Sequence, residues 1–280
     1  MDEEIIDIIR LAIKEDLGIG DHSSLACIPA TNIGNASLFA KEKGMVAGVE
    51  LGEFIFHFID PKCQIKLFKK DGDLVEPGDL ILAVQGNERR LLQAERIVLN
   101  FMQRMSGIAT LVNRYMQEIK GCHTQLLDTR KTTPGLRKVE KWAVRIGGGK
   151  NHRMGLYDMI MLKENHIAYA GGITKAIKNT LLYLKEQQLD IPIEIETQNI
   201  EEVKEVLECG GVNRIMLDNY SIDDLRKAVE LIDKRVETEA SGGVNLSTIR
   251  KIAETGVDYV SVGALTHSVI SLDISMLVDS

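Results

Sequence analysis

The apolar positions of the first third of the chain change from a helical to a strand-like spacing. Apolar residues at positions 5, 8, 9, 12 and 13 share one face of a helix, so we predict a helix over residues 3–16. A polar, turn-rich stretch follows over residues 18–24. Short apolar runs separated by the glycine turns at Gly72 and Gly78 then predict strands over residues 36–40, 45–49, 65–68, 74–75 and 80–84. This third is therefore expected to be an α+β unit with an antiparallel sheet.

The remaining two thirds begin with a long helical pattern over residues 90–119, with a predicted break near Ser106-Gly107. Strand and helix patterns then alternate. Strands are predicted over residues 125–128, 158–162, 193–197, 214–217, 236–240 and 259–262, and helices over residues 136–146, 174–187, 200–209, 221–233 and 246–255. Repeated units of this size indicate an α/β fold with a parallel sheet. Since no Gly-x-Gly-x-x-Gly follows the first strand, an incomplete (β/α) barrel is favoured over a doubly wound sheet.

The change of pattern divides the 280 residues into two domains. We predict an N-terminal α+β domain over residues 1–110, including the bridging helix, and a C-terminal α/β barrel domain over residues 111–280. The last helix of the chain is expected to be able to pack back on the N-terminal domain.

The composition and charge of the chain argue against several classes of function. The formal net charge is -7, which argues against nonspecific binding to nucleic acid or a membrane surface. No apolar run approaches the roughly 20 residues that span a bilayer, and the acidic start of the chain lacks the basic region of a signal peptide. The four scattered cysteines are typical of thiols in a reducing compartment. We therefore expect a cytoplasmic protein.

Charged and polar side chains follow nearly every predicted strand of the second domain. In order, these strand ends are Asp128-Thr129-Arg130-Lys131, Lys163-Glu164-Asn165-His166, Glu194 with Glu196, Asp218-Asn219, Glu239 with Ser241-Gly242-Gly243, and Gly263-Ala264. In a barrel the carboxyl ends of the strands meet on one face, where active sites lie. So many charged ends are unlikely to arise from solvation alone, and we expect an active site there.

Two carboxylates share one predicted strand. Glu194 and Glu196 are two residues apart, so their side chains point to the same side of the sheet. A buried carboxylate needs cations, a metal or hydroxyl donors. A structural ion pair inside the barrel remains an alternative for Glu194 and, to a lesser degree, for Glu196. The spacing does not decide which of them faces a substrate or whether Glu239 contributes.

Glycines and basic residues indicate an anionic ligand. Glycines 242 and 243 precede a helix, and Gly263 ends the next strand, an arrangement that suits a phosphate. The basic residues between positions 130 and 163 are Arg130, Lys131, Arg137, Lys138, Lys150, His152, Arg153 and Lys163. Lys138 and Lys141 also fit the solvated face of a helix. Residues 147–153, Gly-Gly-Gly-Lys-Asn-His-Arg, are expected to form a mobile anion-binding loop.

The metal chemistry suggested by the sequence is that of magnesium. The six histidines form no zinc-binding array. Carboxylates beside a polyanion site instead suggest Mg²⁺ that is bound through phosphate oxygens and water, with no protein ligand of its own.

Long motifs resemble the quinolinate phosphoribosyltransferase family. They are Asp-Thr-Arg-Lys-Thr-Thr-Pro-Gly-Leu-Arg at 128–137, Glu-Lys-Trp-Ala-Val at 140–144, Gly-Gly-Gly at 147–149, Asn-His-Arg at 151–153, Leu-Lys-Glu-Asn-His at 162–166 and Leu-Asp-Asn at 217–219. The resemblance spans nearly the whole chain. It implies transfer of phosphoribosyl from phosphoribosyl pyrophosphate to quinolinate with decarboxylation, giving nicotinate mononucleotide for NAD biosynthesis.

The resemblance also implies residue roles. Arg130, Lys131, Arg153 and Lys163, with His152 and Thr129 nearby, are expected to hold quinolinate, and Arg104 to reach in from a neighbouring subunit of a homodimer or larger homo-oligomer. Glu196 and Asp218 are expected to bind the ribose hydroxyls of Mg²⁺-phosphoribosyl pyrophosphate, and Ser241, Gly242, Gly243, Gly263 and Ala264 its 5-phosphate. The expected catalytic residues are Lys131, Lys163, Glu196 and Asp218.

Three alternatives stay open at the level of sequence. One is a related phosphoribosyltransferase-like protein that acts on another small aromatic acid such as nicotinate. Another is a phosphosugar-binding barrel without catalysis, which would need only the glycine site. A third is an aldolase that uses Lys163 as a Schiff base.

Overall fold

The computed structural model describes residues 1–278 and contains two compact units. The N-terminal unit consists of Met1–Asn113, Thr132–Gly148 and the chain from Leu265 onwards. The barrel unit consists of Arg114–Lys131 and Gly149–Ala264. The units are thus interleaved along the chain, whereas the sequence division at residue 110 is sequential.

The N-terminal unit is built on an antiparallel sheet, as expected. Its strands are β1 (Ile33–Ala40), β2 (Gly44–Met45), β3 (Gln64–Leu67), β4 (Leu74–Val75), β5 (Leu80–Asn87) and β12 (Ile274–Val278), and its helices are α1 (Glu3–Leu17), α2 (His22–Cys27), α3 (Val49–Ile59), most of α4 (Glu88–Glu118) and α5 (Arg137–Ile146). The four-stranded sheet has the order β12-β1-β5-β3, and β2 pairs with β4. Helix α1 begins where Asp2 Oδ1 accepts a hydrogen bond from the Glu4 N–H at 2.9 Å.

The bridging helix differs from its prediction at Ser106-Gly107. Helix α4 runs through this pair without a break. The hydroxyl of Ser106 is fully buried and bonds both the N–H and the carbonyl of Ala47. A Cβ at Gly107 would lie 2.3 Å from the carbonyl oxygen of Ile270. The predicted break was wrong because this glycine allows another segment to pack against an intact helix.

Two short elements of the N-terminal unit were also mispredicted. The strand expected over residues 45–49 is limited to β2, since Gly48 adopts a left-handed backbone with φ 84° and helix α3 begins at Val49. The turn-rich stretch at residues 18–24 contains the start of helix α2, which Asp21 caps by accepting the N–H of Ser24 at 3.1 Å. The apolar run that forms α3 had no assigned element.

The described end of the chain is a strand and not the expected helix. Strand β12 pairs antiparallel with β1, from Ala40 opposite Ile274 to Ala36 opposite Val278. Its backbone hydrogen bonds explain why the chain from Leu265 onwards belongs to the N-terminal unit.

The barrel unit contains the six predicted parallel strands. They are β6 (Gln125–Leu127), β7 (Ile160–Leu162), β8 (Ile193–Thr197), β9 (Arg214–Asp218), β10 (Glu237–Ser241) and β11 (Tyr259–Ser261). The helices of this part are α6 (Glu164–Ala170), α7 (Ile173–Gln187), α8 (Ile200–Cys209), α9 (Ile222–Ile232), α10 (Ile249–Ala253) and α11 (Ala264–His267), the last of which crosses into the N-terminal unit. The strand order β6-β11-β10-β9-β8-β7 leaves one gap, between β6 and β7. Lys150 lines part of that gap by bridging to Leu127 of β6. The fold is an incomplete α/β barrel, which confirms the expected class.

The barrel strands are apolar on the side that the helices cover. Ile195, Ile215 and Val260 are fully buried, as expected for parallel strands under helices. Helices α8 and α9 start at side-chain caps, where Asn199 accepts the N–H of Glu202 and Ser221 that of Asp224. Within residues 1–278, no helix has the length and apolar character needed to cross a membrane.

Candidate active site

The carboxyl ends of the barrel strands bring polar side chains to one end of the sheet. Thr129 and Arg130 follow β6, Lys163 follows β7, Asp218 and Ser241 end β9 and β10, and Gly263 lies two residues beyond β11. Since all six strands are parallel, these positions share one edge. The barrel mouth, as we call this edge, therefore collects the strand-end residues that the sequence singled out. Arg137 and Lys138 lie instead on helix α5 of the N-terminal unit. Lys141 of the same helix, expected on a solvated face, is fully buried.

The acidic part of the mouth is formed by Glu196 and Asp218 on adjacent strands β8 and β9. Partial burial and the charge of Asp218 raise the pKa of Glu196, while the ammonium of Lys163 opposes the rise. Asn219 Nδ2 donates to Asp218 Oδ2 at 2.7 Å. The two acids and Lys163 are thus close enough to affect one another. Paired carboxylates of this kind can accept hydrogen bonds from the hydroxyls of a sugar.

The glycine turn lies directly beside this acidic pair. Gly242 has φ 94°, and a Cβ there would lie 2.1 Å from Asn219 Oδ1. The N–H of Asn219 donates to the carbonyl of Ser241 at 2.8 Å. The turn is therefore packed against the end of β9, and only glycine fits at position 242. Gly243, with φ 61°, has open space around its Cβ position.

The helix after this turn starts later than predicted. Helix α10 begins at Ile249, not near residue 246. Asn245 donates its N–H to Thr248 Oγ1 at 3.0 Å and accepts the N–H of Ser247 at Oδ1. These side-chain hydrogen bonds stabilise a turn in place of the first helical turn.

The basic part of the mouth contains Arg130 and Arg153. Arg153 is only 8% exposed. Burial and the charge of Arg130 lower the pKa of Arg153, so the positive charge of Arg130 acts on the guanidinium of Arg153. Arg153 Nη1 donates to the carbonyl of Met159 at 3.1 Å. Two cations held close together favour a ligand with two negative charges.

The two lysines of the site are exposed at the mouth. Lys131 follows Arg130, and its N–H donates to Thr129 Oγ1 at 3.0 Å. Lys163 caps α6, with its N–H donating to His166 Nδ1 at 3.0 Å. Their exposure leaves both side chains accessible to a ligand that enters from solvent.

The segment after the glycine triplet is held by side chains, in contrast to the expected mobile loop. Asp128 is fully buried and accepts the His152 N–H at 2.8 Å and Asn151 Nδ2 at 2.6 Å. Asp158 accepts the N–H groups of Met154 and Gly155. These bonds replace the backbone ladder that an irregular segment lacks.

A buried ionic cluster lies inside the barrel, on the same strands as the acidic pair. His152 Nε2 lies 2.9 Å from Glu194 Oε2 and 3.4 Å from Glu239 Oε2. Arg214 Nη1 donates to Glu239 Oε2 at 3.1 Å. Both carboxylates are fully buried. The structure therefore separates Glu194, which is in an internal ion cluster, from Glu196, which is near the strand end.

The ionisable groups of this cluster shift one another's pKa values. Burial and the charge of Glu239 raise the pKa of Glu194 to about 7. Burial disfavours a charged His152 ring, but the two carboxylates outweigh it and raise the pKa of this ring. The N–H of Arg153 donates to His152 Nδ1 at 2.7 Å, which opposes a second proton on the ring. This hydrogen bond leaves Nδ1 without a proton, so we assign the ring proton to Nε2, which faces the two carboxylates.

This cluster also has the donor set of a small metal site. The ligand atoms of His152, Glu194 and Glu239 all lie within 4.8 Å of one another. Arg214, however, already supplies a fixed positive charge to Glu239, and His152 Nε2 lies within ion-pair distance of both carboxylates. Internal charge pairing accounts for the arrangement.

Arg104 belongs to the N-terminal unit and is bound there by several groups. Its Nη2 donates to Glu140 Oε1 at 2.8 Å and to the carbonyl of Thr266 at 2.6 Å. Glu140 is fully buried and also accepts the N–H of Thr133. The side chain of Arg104 is a quarter exposed (25%), although Nε, Nη1 and Nη2 all donate hydrogen bonds within the N-terminal unit.

Sequence reasoning missed the parts played by Asp128, Asn219 and Arg214. Asp128 and Asn219 were noted only as strand ends, and Arg214 was not singled out. The signal for Arg214 was its alternation with Met216 and Asp218 along one strand, which places its side chain on the inner side of the barrel.

The fold and site define an α/β-barrel enzyme whose mouth suits substrates with several negative charges and sugar hydroxyls. The family model described as "Quinolinate phosphoribosyl transferase, N-terminal domain" matches residues 21–106, and the corresponding C-terminal domain model matches residues 108–277. The chain belongs to the quinolinate phosphoribosyltransferase family.

Individual relatives agree with this assignment. The chain is 49% identical to quinolinate phosphoribosyltransferase [decarboxylating] 2, mitochondrial, of Nicotiana glauca, over 99% of this chain and 83% of that protein. It is 43% identical to a probable nicotinate-nucleotide pyrophosphorylase [carboxylating] of Bacillus subtilis, over 94% and 89%. The crystal structure of NadC from Streptococcus pyogenes is similar with a TM-score of 0.94 and 40% identity, covering 99% of this chain and 96% of that one.

Proposed function

We propose that this chain transfers phosphoribosyl from phosphoribosyl pyrophosphate to quinolinate with decarboxylation, forming nicotinate mononucleotide, CO₂ and pyrophosphate. It is a pentosyltransferase of NAD biosynthesis, as its family membership indicates. The single observation that carries the proposal is the juxtaposition, in one barrel, of the Arg130–Arg153 cation pair and the Glu196–Asp218 acid pair. The first suits a dicarboxylate and the second suits a ribose.

Quinolinate is held by the basic part of the mouth. Arg130 and Arg153 supply planar forks that match carboxylates, and Lys131 and Lys163 add point charges from the exposed side. Thr129 fixes the backbone ahead of Lys131 through the hydrogen bond to its N–H. The repulsion between the two guanidinium groups is offset when the two carboxylates of the substrate bind to them. A substrate with a single carboxylate gains less from the same pocket.

The sugar phosphate occupies the remaining part of the mouth. Glu196 and Asp218 accept hydrogen bonds from the ribose hydroxyls. Ser241, Gly242, Gly243, Gly263 and Ala264 surround the 5-phosphate with backbone groups. The close packing of Gly242 against Asn219 supports this role because it joins the phosphate turn directly to the ribose-binding strand.

Magnesium enters with phosphoribosyl pyrophosphate. The mouth fits this arrangement, because Glu196 and Asp218 would bind the sugar hydroxyls and would leave phosphate oxygens and water as the ligands of the ion. When bound, Mg²⁺ would neutralise charge on the pyrophosphate, with no side chain of this protein as a direct ligand.

The chain's residues act mainly by position and charge. Quinolinate is oriented so that its ring nitrogen meets C1 of the ribose as pyrophosphate leaves. Positive charge on the sugar is stabilised by the nearby carboxylates of Glu196 and Asp218. Lys131 and Lys163 stabilise the negative groups of both substrates. The bond between C2 of the ribosylated ring and its carboxylate then breaks and CO₂ leaves. The electron pair stays on C2, where the adjacent cationic nitrogen stabilises it, and C2 takes up a proton from solvent.

The assembly and location are part of the proposal. The chain forms a homodimer, or a larger homo-oligomer, in which Arg104 of one subunit completes the quinolinate site of its neighbour. The partial exposure of the Arg104 side chain supports this role. The protein works in the cytoplasm without nucleic acid or membrane partners, in keeping with its acidic net charge.

A turnover assay tests the function. The purified chain is incubated with quinolinate, phosphoribosyl pyrophosphate and Mg²⁺, and nicotinate mononucleotide is measured by chromatography. Product should form from quinolinate and depend on all three components. Faster turnover with nicotinate would identify a different aromatic acid as the substrate, and binding of phosphoribosyl pyrophosphate without turnover of either acid would indicate a non-catalytic barrel.

A further inference from the structure

The imidazole of His152 faces the interior of the barrel. Its side chain is only 4% exposed, and its Nε2 lies against the carboxylates of Glu194 and Glu239. Its other nitrogen, Nδ1, accepts the backbone N–H of Arg153 at 2.7 Å. Both ring nitrogens are therefore engaged by protein groups, although the sequence suggested a contact between this residue and the substrate.

The backbone N–H of Arg153 has no sheet or helix to bond to. Residues 151–153 lie between the isolated bridge at Lys150 and the strand β7, outside regular structure. The N–H before Arg153 is accepted by Asp128 and the N–H after it by Asp158. The ring of His152 thus supplies the middle of three consecutive side-chain acceptors that fix this backbone.

A fixed backbone is important at Arg153 because the positive charge of Arg130 repels its guanidinium. Burial of Arg153 and the positive charge of Arg130 both lower the pKa of Arg153 and so disfavour its charged form. The charge of Glu194 acts in the opposite sense and favours the guanidinium of Arg153. The cluster therefore contributes both a hydrogen bond to the backbone of Arg153 and a counter-charge to its side chain.

We propose that His152, held by Glu194 and Glu239, is a positioning residue that presents Arg153 to the dicarboxylate and does not itself bind the substrate. The inference rests on the proposed function for its substrate, but its geometric part concerns this chain alone. The carboxylates orient the ring, just as a carboxylate beside one ring nitrogen orients metal-binding and catalytic histidines. Arg214 balances Glu239 so that the cluster can remain buried.

Two substitutions separate the two nitrogens of the ring. In His152→Asn, the amide oxygen can occupy the place of Nδ1 and still accept the Arg153 N–H. In His152→Gln, the longer amide reaches the place of Nε2 and the carboxylates, but the acceptor for Arg153 is lost. If positioning through Nδ1 is the role, KM for quinolinate rises about tenfold in His152→Gln and clearly less in His152→Asn, the equivalent of about one hydrogen bond.

KM for phosphoribosyl pyrophosphate serves as the internal control and should stay within about twofold of the wild-type value in both variants, since neither touches the acid pair. An equal rise in KM for quinolinate in both variants, or a larger rise in His152→Asn, would overturn the proposal. An unchanged KM for quinolinate in both would do so as well.

A second measurement needs no catalysis and no variant. The ¹⁵N chemical shifts of the His152 imidazole in the labelled wild-type protein report which nitrogen carries the proton. We expect Nε2 protonated and Nδ1 unprotonated at neutral pH, whether or not quinolinate is turned over. A proton on Nδ1 would contradict the assignment even if the enzyme is active. Absence of turnover with the expected tautomer would instead count against the proposed function alone.

Discussion

Glu196 and Asp218 lie on neighbouring parallel strands, and the charge of Asp218, together with burial, raises the pKa of Glu196. The register of β8 and β9 places Thr197 opposite Leu217, so the two acids reach the same end of the barrel. Two carboxylates in one corner repel each other in the absence of a ligand. This repulsion is relieved by hydroxyl donors, by Lys163 or by developing positive charge on a sugar.

The raised pKa of Glu196 predicts a shifted pH profile. A carboxyl with a raised pKa binds its proton earlier as the pH falls. The acid limb of kcat/KM for phosphoribosyl pyrophosphate should therefore lie above the ordinary glutamate value of about 4.3. In Asp218→Asn the repulsion is gone and the remaining activity should show its acid limb at lower pH. If the acid limbs of the pH profiles coincide in the wild type and Asp218→Asn, the two acids are not coupled.

The raised pKa of Glu196 also predicts that its ionised carboxylate destabilises the fold at neutral pH. Since the pKa of Glu196 is higher in the folded protein than in the unfolded chain, the favourable contribution of the protonated form is complete below the unfolded pKa. It is lost as the pH rises through the folded pKa. Glu196→Gln should thus stabilise the fold at neutral pH by about 0.5–1 kcal/mol and have little effect in acid. Thermal unfolding at the two pH values measures this, and a lower Tm at neutral pH would contradict it.

Arg153→Lys tests the fork of the basic pair. Lysine keeps the charge but cannot bond a carboxylate through two parallel N–H groups. KM for quinolinate should rise about tenfold or more, with a smaller effect on KM for phosphoribosyl pyrophosphate. Arg226→Lys on the exposed face of α9, where Arg226 pairs with Asp223, is the matched control and should leave both constants unchanged. Equal kinetics for Arg153→Lys and the control would remove Arg153 from the substrate site.

The two glycines of the phosphate turn form a matched pair. In Gly242→Ala the new methyl group would collide with Asn219, so the turn must move away from β9. KM for phosphoribosyl pyrophosphate should rise by an order of magnitude, and the fold should lose about 2 kcal/mol. In Gly243→Ala the new methyl group meets open space, so only the cost of the left-handed backbone, about 1 kcal/mol, is expected. Equal effects on KM in the two variants would show that contact with Asn219 is unimportant.

Subunit sharing can be tested by mixing inactive variants. Arg104→Ala and Lys131→Ala would each remove activity from a dimer made of that variant alone. If Arg104 completes the neighbour's site, a mixed dimer has one site with both changes and one with neither. Unfolding and refolding the two together should then restore about a quarter of the wild-type activity. No recovery, with mixed dimers present by native mass spectrometry, would place each site within a single chain.

Repetition made the barrel predictable from the sequence. Residues 193–197, predicted as a strand, are the residues of β8, and residues 200–209, predicted as a helix, are those of α8. Each unit combines a short apolar strand with an amphipathic helix, so the spacing of the apolar residues distinguishes the two elements. Gly107 was misjudged because a glycine that breaks a helix and one that admits a close neighbour look alike in sequence.

The sequence predicted which residues form the candidate site, but not the depth or the contacts of their side chains. The expectation that an active site lies at the carboxyl ends of barrel strands selected Arg130, Lys163, Glu196 and Asp218. The structure places all four at one edge of the sheet. Their roles stay predictions until substrates are tested. Periodicity could not tell that Glu194 is internal while Glu196 is near the mouth, because both point to the same side and differ only in depth. That depth depends on Arg214 and His152, which approach Glu194 and Glu239 from other elements.

The most direct test of the account follows the 2-carboxylate of quinolinate. Quinolinate labelled with ¹³C at that carboxylate is incubated with the protein, phosphoribosyl pyrophosphate and Mg²⁺, and labelled CO₂ and nicotinate mononucleotide are measured together. We predict that the two form in equal amounts and that Arg153→Lys slows both to the same extent. Nicotinate mononucleotide formed without labelled CO₂, or neither product at saturating substrate, would contradict a site built to bind and decarboxylate a diacid.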